Sequence, residues 1–468
     1  MLSNMKNKSK VIFLATGWLV VILLLVNFHR QSINPYGWVF WSQLFVAIFL
    51  AVILLVLWAI NCFRSKNRFK ALLIYAIGLT TLLVANLIYY DYRIVLFPDS
   101  LKALSKSEWS NDIKYLKNTL KKKHPNVNEL IEEKQLDSVF AHLDSKLDTW
   151  NDTQIKLELM KIVSLLNDGH SIIPPQPSIN LHCLPFVAHK FNDGVYVIDA
   201  ARDYAHLNNA EVVKINNHLI EDVFKKLKPY IGIENEGGEW DRFPLYGSIT
   251  ELLFQLQITN DPLSAKVTFM KDGETFTETI KGKSYYQWFY FYFSPNRENN
   301  ALPYEHRLLD KNYWFTYDES SQNLYVNINN LKDDSSESIK QFSNRLVEFT
   351  DTNSINKTIL DLRNNRGGDN FKARALLKVF RDQKKVNKHG KFFTLISRRT
   401  FSAGVNLATL LENQTKTIFI GEPTGQGPTQ FGDAKGYKLP NSGIHFFTLT
   451  GSRYWSFYLL IFDYFLLN

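Results

Sequence analysis

Three short stretches carry residue types that can perform acyl transfer. In "FFTLISRRTFSAGVNLATLLEN", from Phe392 to Asn413, an apolar run ends in a basic turn, and Ser402-Ala403-Gly404 opens a new apolar-periodic segment. In "LLNDGHSIIPP" a single histidine, His170, directly follows a helical pattern. In "ILDLRNNRGGDN" the pair Gly367-Gly368 ends a strand-like run, and residues without side chains let backbone N–H groups approach a ligand. Acyl transfer from a serine needs a hydroxyl, a base for its proton and backbone donors for the oxyanion that develops. Ser402 would supply the hydroxyl at a helix N-terminus, where the dipole favours negative charge, and the Ala403 N–H would be one donor. Each piece also has an ordinary explanation. Serine is a common helix N-cap because its hydroxyl satisfies an orphan N–H, and a lone loop histidine is often merely solvated.

The elements that must position these residues follow from the pattern. From Ser105 to Leu166 the spacing is helical, with Ile113, Leu116 and Leu120 on one face and Ile155, Leu159, Val163 and Leu166 on another, the latter introduced by the capping run "WNDTQ". Gly169 and Pro174-Pro175 stop that pattern and leave His170 on a loop, which Asp168 is suited to shape. Between about Gln176 and Ile280 the texture changes to short strands, with "GVYVIDA", "AEVVKINNHLIEDVFKKL" and a hairpin around Asp272-Gly273. The aromatic segment "GKSYYQWFYFYFSPNRENN" lacks helical spacing and reads as a connector. The last part alternates strand and helix from "NLYVNIN" to "KTIFIGE", which predicts right-handed crossovers and a mostly parallel sheet covered by helices. Ligands in such sheets gather at the strands' carboxyl ends, where Ser402 lies.

Composition adds a membrane anchor. Of the 468 residues 45% are hydrophobic, and three apolar runs without a charge crowd the first ninety positions, at about 11–28, 38–60 and 71–90. Each is long enough to span roughly 30 Å of hydrocarbon, and their number and length do not fit a cleaved signal peptide. Lys6, Lys8 and Lys10 precede the first run and Arg64, Lys66, Arg68 and Lys70 fill the second connection, against Arg30 alone in the first. The positive-inside rule puts the N-terminus in the cytoplasm and everything after Tyr90 outside it. These anchors account for part of the net charge of +9, and no Lys/Arg stripe interleaved with aromatics points to nucleic acid. The two cysteines, Cys62 and Cys183, fall on opposite sides of that topology, which excludes a disulfide scaffold.

Taken in order, "KKHPNVNELI", "LLNDGHSIIPP", "AEVVKINNHLIEDVF", "ILDLRNNRGG", "TFSAGVNLATLLEN", "IFIGEPTGQGPTQ" and "YKLPNSGIHF" resemble the tail-specific, or C-terminal-processing, serine protease family over roughly Lys106 to Phe447. The resemblance implies an α/β catalytic core of the ClpP/crotonase-like fold, with a helical cap and a PDZ-like module, here preceded by three transmembrane helices. The expected organisation is an anchor over 1–92, a cap carrying the His loop over 100–175, a PDZ-like module over 176–290, a connector over 291–320 and a catalytic domain over 321–468.

The same resemblance implies Ser402 as nucleophile, with Gly367, Gly368 and Ala403 forming the oxyanion hole. One branch of the family uses a Ser-Lys dyad whose lysine stands second in a Gly-Lys-Gly-x-x-Gln motif. Here that motif reads "GQGPTQ" and the position holds Gln426, an amide that cannot accept the serine proton. The tricorn-core-like branch uses Ser-His-Glu instead, and "NDGHS" at the matching place makes His170 the base, with an ordinary pKa near 6.5. Should a lysine serve as base instead, Lys435 is a nearby candidate in the sequence. Family members continue past the strand matching "LPNSG" and supply the orienting acid there, whereas this chain ends in "GSRYWSFYLLIFDYFLLN", so a catalytic domain cut short at its C-terminus is expected. The third member stays open between Glu422 and Asp463. The resulting expectation is a multi-pass, membrane-anchored extracytoplasmic serine endopeptidase. It would act on polypeptides and need neither metal nor other cofactor, contacting lipid through its N-terminal helices and no nucleic acid, with its oligomeric state open. The alternative is a catalytically weak or silent member that binds peptides or other ligands.

Overall fold

A computed structural model describes residues 103–176, 179–285, 311–428, 430–432, 434–450 and 453–454. The three apolar runs read as membrane spans lie outside these residues, as does Asp463. Among the described residues no helix is long and apolar enough to cross a membrane. The chain divides into Met1–Tyr92 and Arg93–Asn468, and all the described residues belong to the second unit.

Three principal helices open that unit: α1 (Lys106–Lys123), α2 (Glu133–Ser145) and α3 (Asp152–Ser164). The first is started by a capping box between Ser105 and Glu108, the third by one between Asn151 and Gln154. Trp109, Ile113, Leu116 and Leu120 fall on one face of α1 at helical spacing and are all buried. An antiparallel sheet follows in the order β1 (Phe186–Lys190), β2 (Val195–Ala200), β3 (Glu211–Ile215), β4 (Ser264–Lys271), β5 (Glu274–Lys281), with the short strand His218–Leu219 also on β3. The β4–β5 hairpin turns at Asp272 and Gly273, with φ of 54° and 82°, as a two-residue turn with both central residues left-handed requires. Between β3 and β4 lie α4 (Ile220–Ile231) and α5 (Glu236–Tyr246).

The second half carries the predicted alternation. Strands β6 (Tyr313–Asp318), β7 (Asn323–Ile328), β8 (Lys357–Asp361), β9 (Phe392–Ile396) and β10 (Ile418–Gly421) form one sheet in chain order. Strands β7 to β10 pair parallel and β6 pairs antiparallel with β7. Their crossovers are α6 (Ile339–Thr352), α7 (Asn370–Asp382) and α8 (Ala403–Gln414). One expectation is corrected here. Tyr313–Asp318 falls in the stretch read as a connector, yet it is an edge strand of the mostly parallel sheet, because its six-residue register with β7 satisfies its backbone and buries Tyr313.

Two apolar cores result. One joins the opening helices, the antiparallel sheet and Leu439, Ile444 and Phe446 of the C-terminal hairpin formed by β11 (Ala434–Lys438) and β12 (His445–Leu449). The other lies between the parallel sheet and α6, α7 and α8. Within it Leu407 and Leu411 of α8 have no exposed surface. Burial of side chains of that size contributes roughly 2 kcal/mol each, which makes the helix behind Ser402 a rigid support.

Candidate active site

Six residues, Ser397 to Ser402, connect β9 to α8, and their shape is set by the neighbouring strand end. Ser397 Oγ donates to the Arg363 carbonyl at 2.6 Å, Thr400 Oγ1 to that of Leu362 at 2.8 Å, and the Phe401 N–H to that of Asn365 at 2.9 Å. The turn delivers Ser402 to the N-cap position of α8 with φ of 53° and ψ of −125°, and its side chain makes no capping hydrogen bond. The hydroxyl is therefore not used in holding the helix. A serine in this conformation costs on the order of 1–3 kcal/mol, and it persists because main-chain bonds on both sides leave no alternative.

Glycine permits the close approach beneath it. A Cβ at Gly367, where φ is 103°, would stand 2.8 Å from the Ser402 Cβ and 3.0 Å from the Ala403 nitrogen; one at Gly404 would stand 2.7 Å from the Asn365 carbonyl oxygen. Expected donors now separate. The Gly367 N–H is committed to Asn365 Oδ1 at 2.9 Å, which corrects its assignment to the oxyanion hole: the side chain two residues earlier folds back on it and satisfies it. The N–H groups of Gly368 and Ala403 have no acceptor among the described residues.

The histidine loop is built with equal definition. Helix α3 ends at Ser164, whose Oγ donates to the Tyr230 carbonyl at 2.7 Å, five residues before the glycine expected to stop it. Asn167 and Gly169 then take left-handed φ of 49° and 73°. Between them Asp168 is buried, its Oδ1 accepting the N–H groups of His170 at 2.7 Å and of Ser171, its Oδ2 facing His124 Nε2 at 3.0 Å. Burial alone would raise the Asp168 carboxyl, and the hydrogen bonds from His124 and Ser171 outweigh it, holding the group below the usual carboxylate range. Arg242 donates to the Ile231 carbonyl at 2.8 Å and to that of Gly169. Beyond the histidine, Ile172 exchanges two backbone bonds with Phe447 of β12, at 3.0 and 2.8 Å. The His170 ring rests on Phe401 at 4.8 Å between centroids.

These elements bring His170 Nε2 to 3.1 Å from Ser402 Oγ. At the other ring nitrogen, Gln426 Nε2 stands 3.2 Å from Nδ1. Sequence reasoning treated Gln426 only as a missing lysine. Its position in the family motif was the available signal, since a residue that replaces a base must face the nucleophile.

Of the two candidates for a third member, Asp463 lies outside the described residues and Glu422 is turned away from the histidine. The Glu422 carboxylate is held by the Arg398 guanidinium, with Nε 2.9 Å from Oε2 and a second bond from Nη2 to Oε1. Burial would raise that carboxyl, and the bidentate Arg398 contact more than offsets it. Glu422 is thus corrected to a structural partner of Arg398, because a forked guanidinium satisfies both of its oxygens. Lys435 lies exposed on β11, in register with Thr448.

Residues 323–456 match the family model Peptidase_S41, described as peptidase family S41. Among solved structures the fold is similar to mature CPAF complexed with lactacystin, at 14% identity over 74% of this chain and 90% of that chain, with a TM-score of 0.52. A second similar structure is mature CPAF, at 14% identity over 74% and 88% of the respective chains and a TM-score of 0.50. A comparison with curated proteins gives no match.

Proposed function

We propose that this chain, whose residues 323–456 match the model of peptidase family S41, hydrolyses peptide bonds as an endopeptidase through an acyl-enzyme on Ser402 with His170 as general base. The observation that carries the reading is the 3.1 Å approach of His170 Nε2 to an Oγ that caps no helix. Ser402 Oγ bonds to the scissile carbonyl carbon while its proton passes to Nε2, and the oxyanion is received by the N–H groups of Gly368 and Ala403. Collapse breaks the C–N bond, and Nε2 returns the proton to the departing amine. Water then attacks the acyl group, giving its proton to Nε2, and the ester bond breaks to restore the Ser402 hydroxyl.

The antiparallel sheet β1 to β5 is read as a PDZ-like module on which an extended polypeptide adds to a free edge. Three spans within residues 1–92 anchor the chain, with the N-terminus cytoplasmic and the catalytic domain extracytoplasmic; the support is the absence of charge from the runs and the distribution of lysine and arginine around them. A second reading, a peptide-binding protein with a silent dyad, draws on the amide that meets His170 Nδ1 where a triad has a carboxylate.

A fluorophosphonate probe on the full-length protein, with turnover of an unfolded polypeptide measured in parallel, separates the two. Labelling that is lost in Ser402→Ala and reduced by two or more powers of ten in His170→Ala supports the peptidase. Labelling that persists in Ser402→Ala moves the chemistry elsewhere, and a wild type that never labels favours the binding protein.

A further inference from the structure

We infer that Gln426 is a positioning residue that sets the tautomer of His170 and holds the resting dyad with its proton on the nitrogen facing Ser402; this rests on the roles given to those two residues above. The side chain of Gln426 is fully buried and ties together three elements. Its Oε1 accepts the N–H of Ser402 at 3.3 Å, and its Nε2 donates to the Asp168 carbonyl at 3.1 Å while standing 3.2 Å from His170 Nδ1. Its own main chain is held in turn, with Thr424 Oγ1 donating to the Gln426 carbonyl at 2.8 Å and the Gly425 N–H donating to that of Thr400 at 2.9 Å.

The orientation of a glutamine amide is decided by its partners, and two of these partners have only one role each. A backbone N–H can only donate and a backbone carbonyl can only accept. Turning the amide over would set NH2 against the Ser402 N–H and oxygen against the Asp168 carbonyl, so Nε2 must be the end that faces His170. Of its two hydrogens, one is directed at Asp168 and the other is left for Nδ1. The amide also lies against Gly169, where a Cβ would come within 3.2 Å of Nε2, so the loop backbone blocks its retreat on that side.

A neutral imidazole has one N–H and one lone pair. With an N–H aimed at it, Nδ1 keeps the lone pair and the ring proton sits on Nε2, 3.1 Å from Ser402 Oγ. That nitrogen then donates to the hydroxyl and cannot take its proton. A triad carboxylate does the reverse, accepting from Nδ1–H and leaving Nε2 basic, and loss of that arrangement lowers kcat by about four powers of ten in a Ser-His-Asp site. Attack in this chain therefore starts from the minor tautomer, which forms when the Gln426 amide is displaced from Nδ1.

The test is Gln426→Glu in the full chain. The carboxylate has nearly the same shape, keeps an acceptor for the Ser402 N–H and gains one for Nδ1–H, so fluorophosphonate labelling of Ser402 should become at least tenfold faster than in wild type. A purely structural role predicts the opposite, since the bond to the Asp168 carbonyl is lost. Slower labelling than wild type, with Ser402→Ala blank, overturns the tautomer inference and leaves the peptidase reading standing. No labelling in either protein overturns the nucleophile assignment itself. Long-range proton–nitrogen correlation spectra of wild-type protein carrying nitrogen-15 histidine decide the point independently of whether the variant folds. With His170→Asn as assignment control, the resonances should show a protonated Nε2 and an unprotonated Nδ1; the reverse pattern sinks the inference.

Discussion

His170 Nε2 and Ser402 Oγ stand 3.1 Å apart although 232 positions separate the two residues in the chain. Each is presented by a different apolar core, the histidine from a loop beside the opening helices and the serine from the strand end beneath α8. Their distance is therefore a property of how the two cores are joined. The joints are specific bonds: Gln426 to Asp168 and Arg366 to Asp241.

Ser402 is strained in the folded chain, and glycine adopts its φ of 53° without penalty. Ser402→Gly should raise the unfolding free energy by about 1 kcal/mol while abolishing probe labelling. Denaturant midpoints of the two proteins check this. A destabilised glycine variant would mean that the hydroxyl holds the turn after all.

Gly367→Ala should leave little activity, because the new methyl would meet the Ser402 Cβ and push the nucleophile turn away from Gly368. The expected loss in kcat is about two to three powers of ten, the usual effect of losing an oxyanion donor. Steady-state cleavage of a polypeptide measures it, and a variant with wild-type kcat would remove this turn from the site.

Asp168→Asn should destabilise the protein by about 2 kcal/mol at neutral pH, since hydrogen bonds to a buried charged group are lost. The sign of the pH dependence follows from the lowered carboxyl. Its contribution is complete above the ordinary aspartate value of about 3.9 and declines as pH falls below that toward the folded-state value. Urea midpoints from pH 3 to 7 should show wild type and variant converging at the acid end. Parallel curves would show that the charge is not what holds the loop.

Glu422→Gln should change the cleavage rate by less than tenfold, because the carboxylate faces Arg398 and not His170. Kinetics of the single variant suffice, and a loss of several powers of ten would reinstate Glu422 as part of the catalytic group.

Residues 1–92 are proposed to place Cys62 on the cytoplasmic side. The other cysteine, Cys183, is fully buried, and burial pushes its thiol up, so it does not react as a thiolate. An impermeant maleimide should leave intact cells unlabelled and modify Cys62 only after lysis. Labelling of Cys62 before lysis would reverse the topology.

The sequence by itself determined most of the elements and singled out Ser402 and His170 as the candidate pair. Capping at Asn151 and Gln154, the Asp272-Gly273 turn, the strand and helix alternation after Asn323 and the glycine pair before α7 are short-range signals, because their energies come from a residue and its near neighbours. Ser402 and His170 stand in such local contexts and were legible for that reason. What only the tertiary structure decided is who faces whom. Whether Tyr313–Asp318 forms a strand depends on β7 accepting it, and whether the Gly367 N–H is available depends on the Asn365 side chain. Arg398 captures Glu422 across 24 positions, and Gln426 reaches His170 across 256. Such pairings are selected by burial, which penalises any polar group left without a partner, and that selection operates only once the two cores have closed on each other.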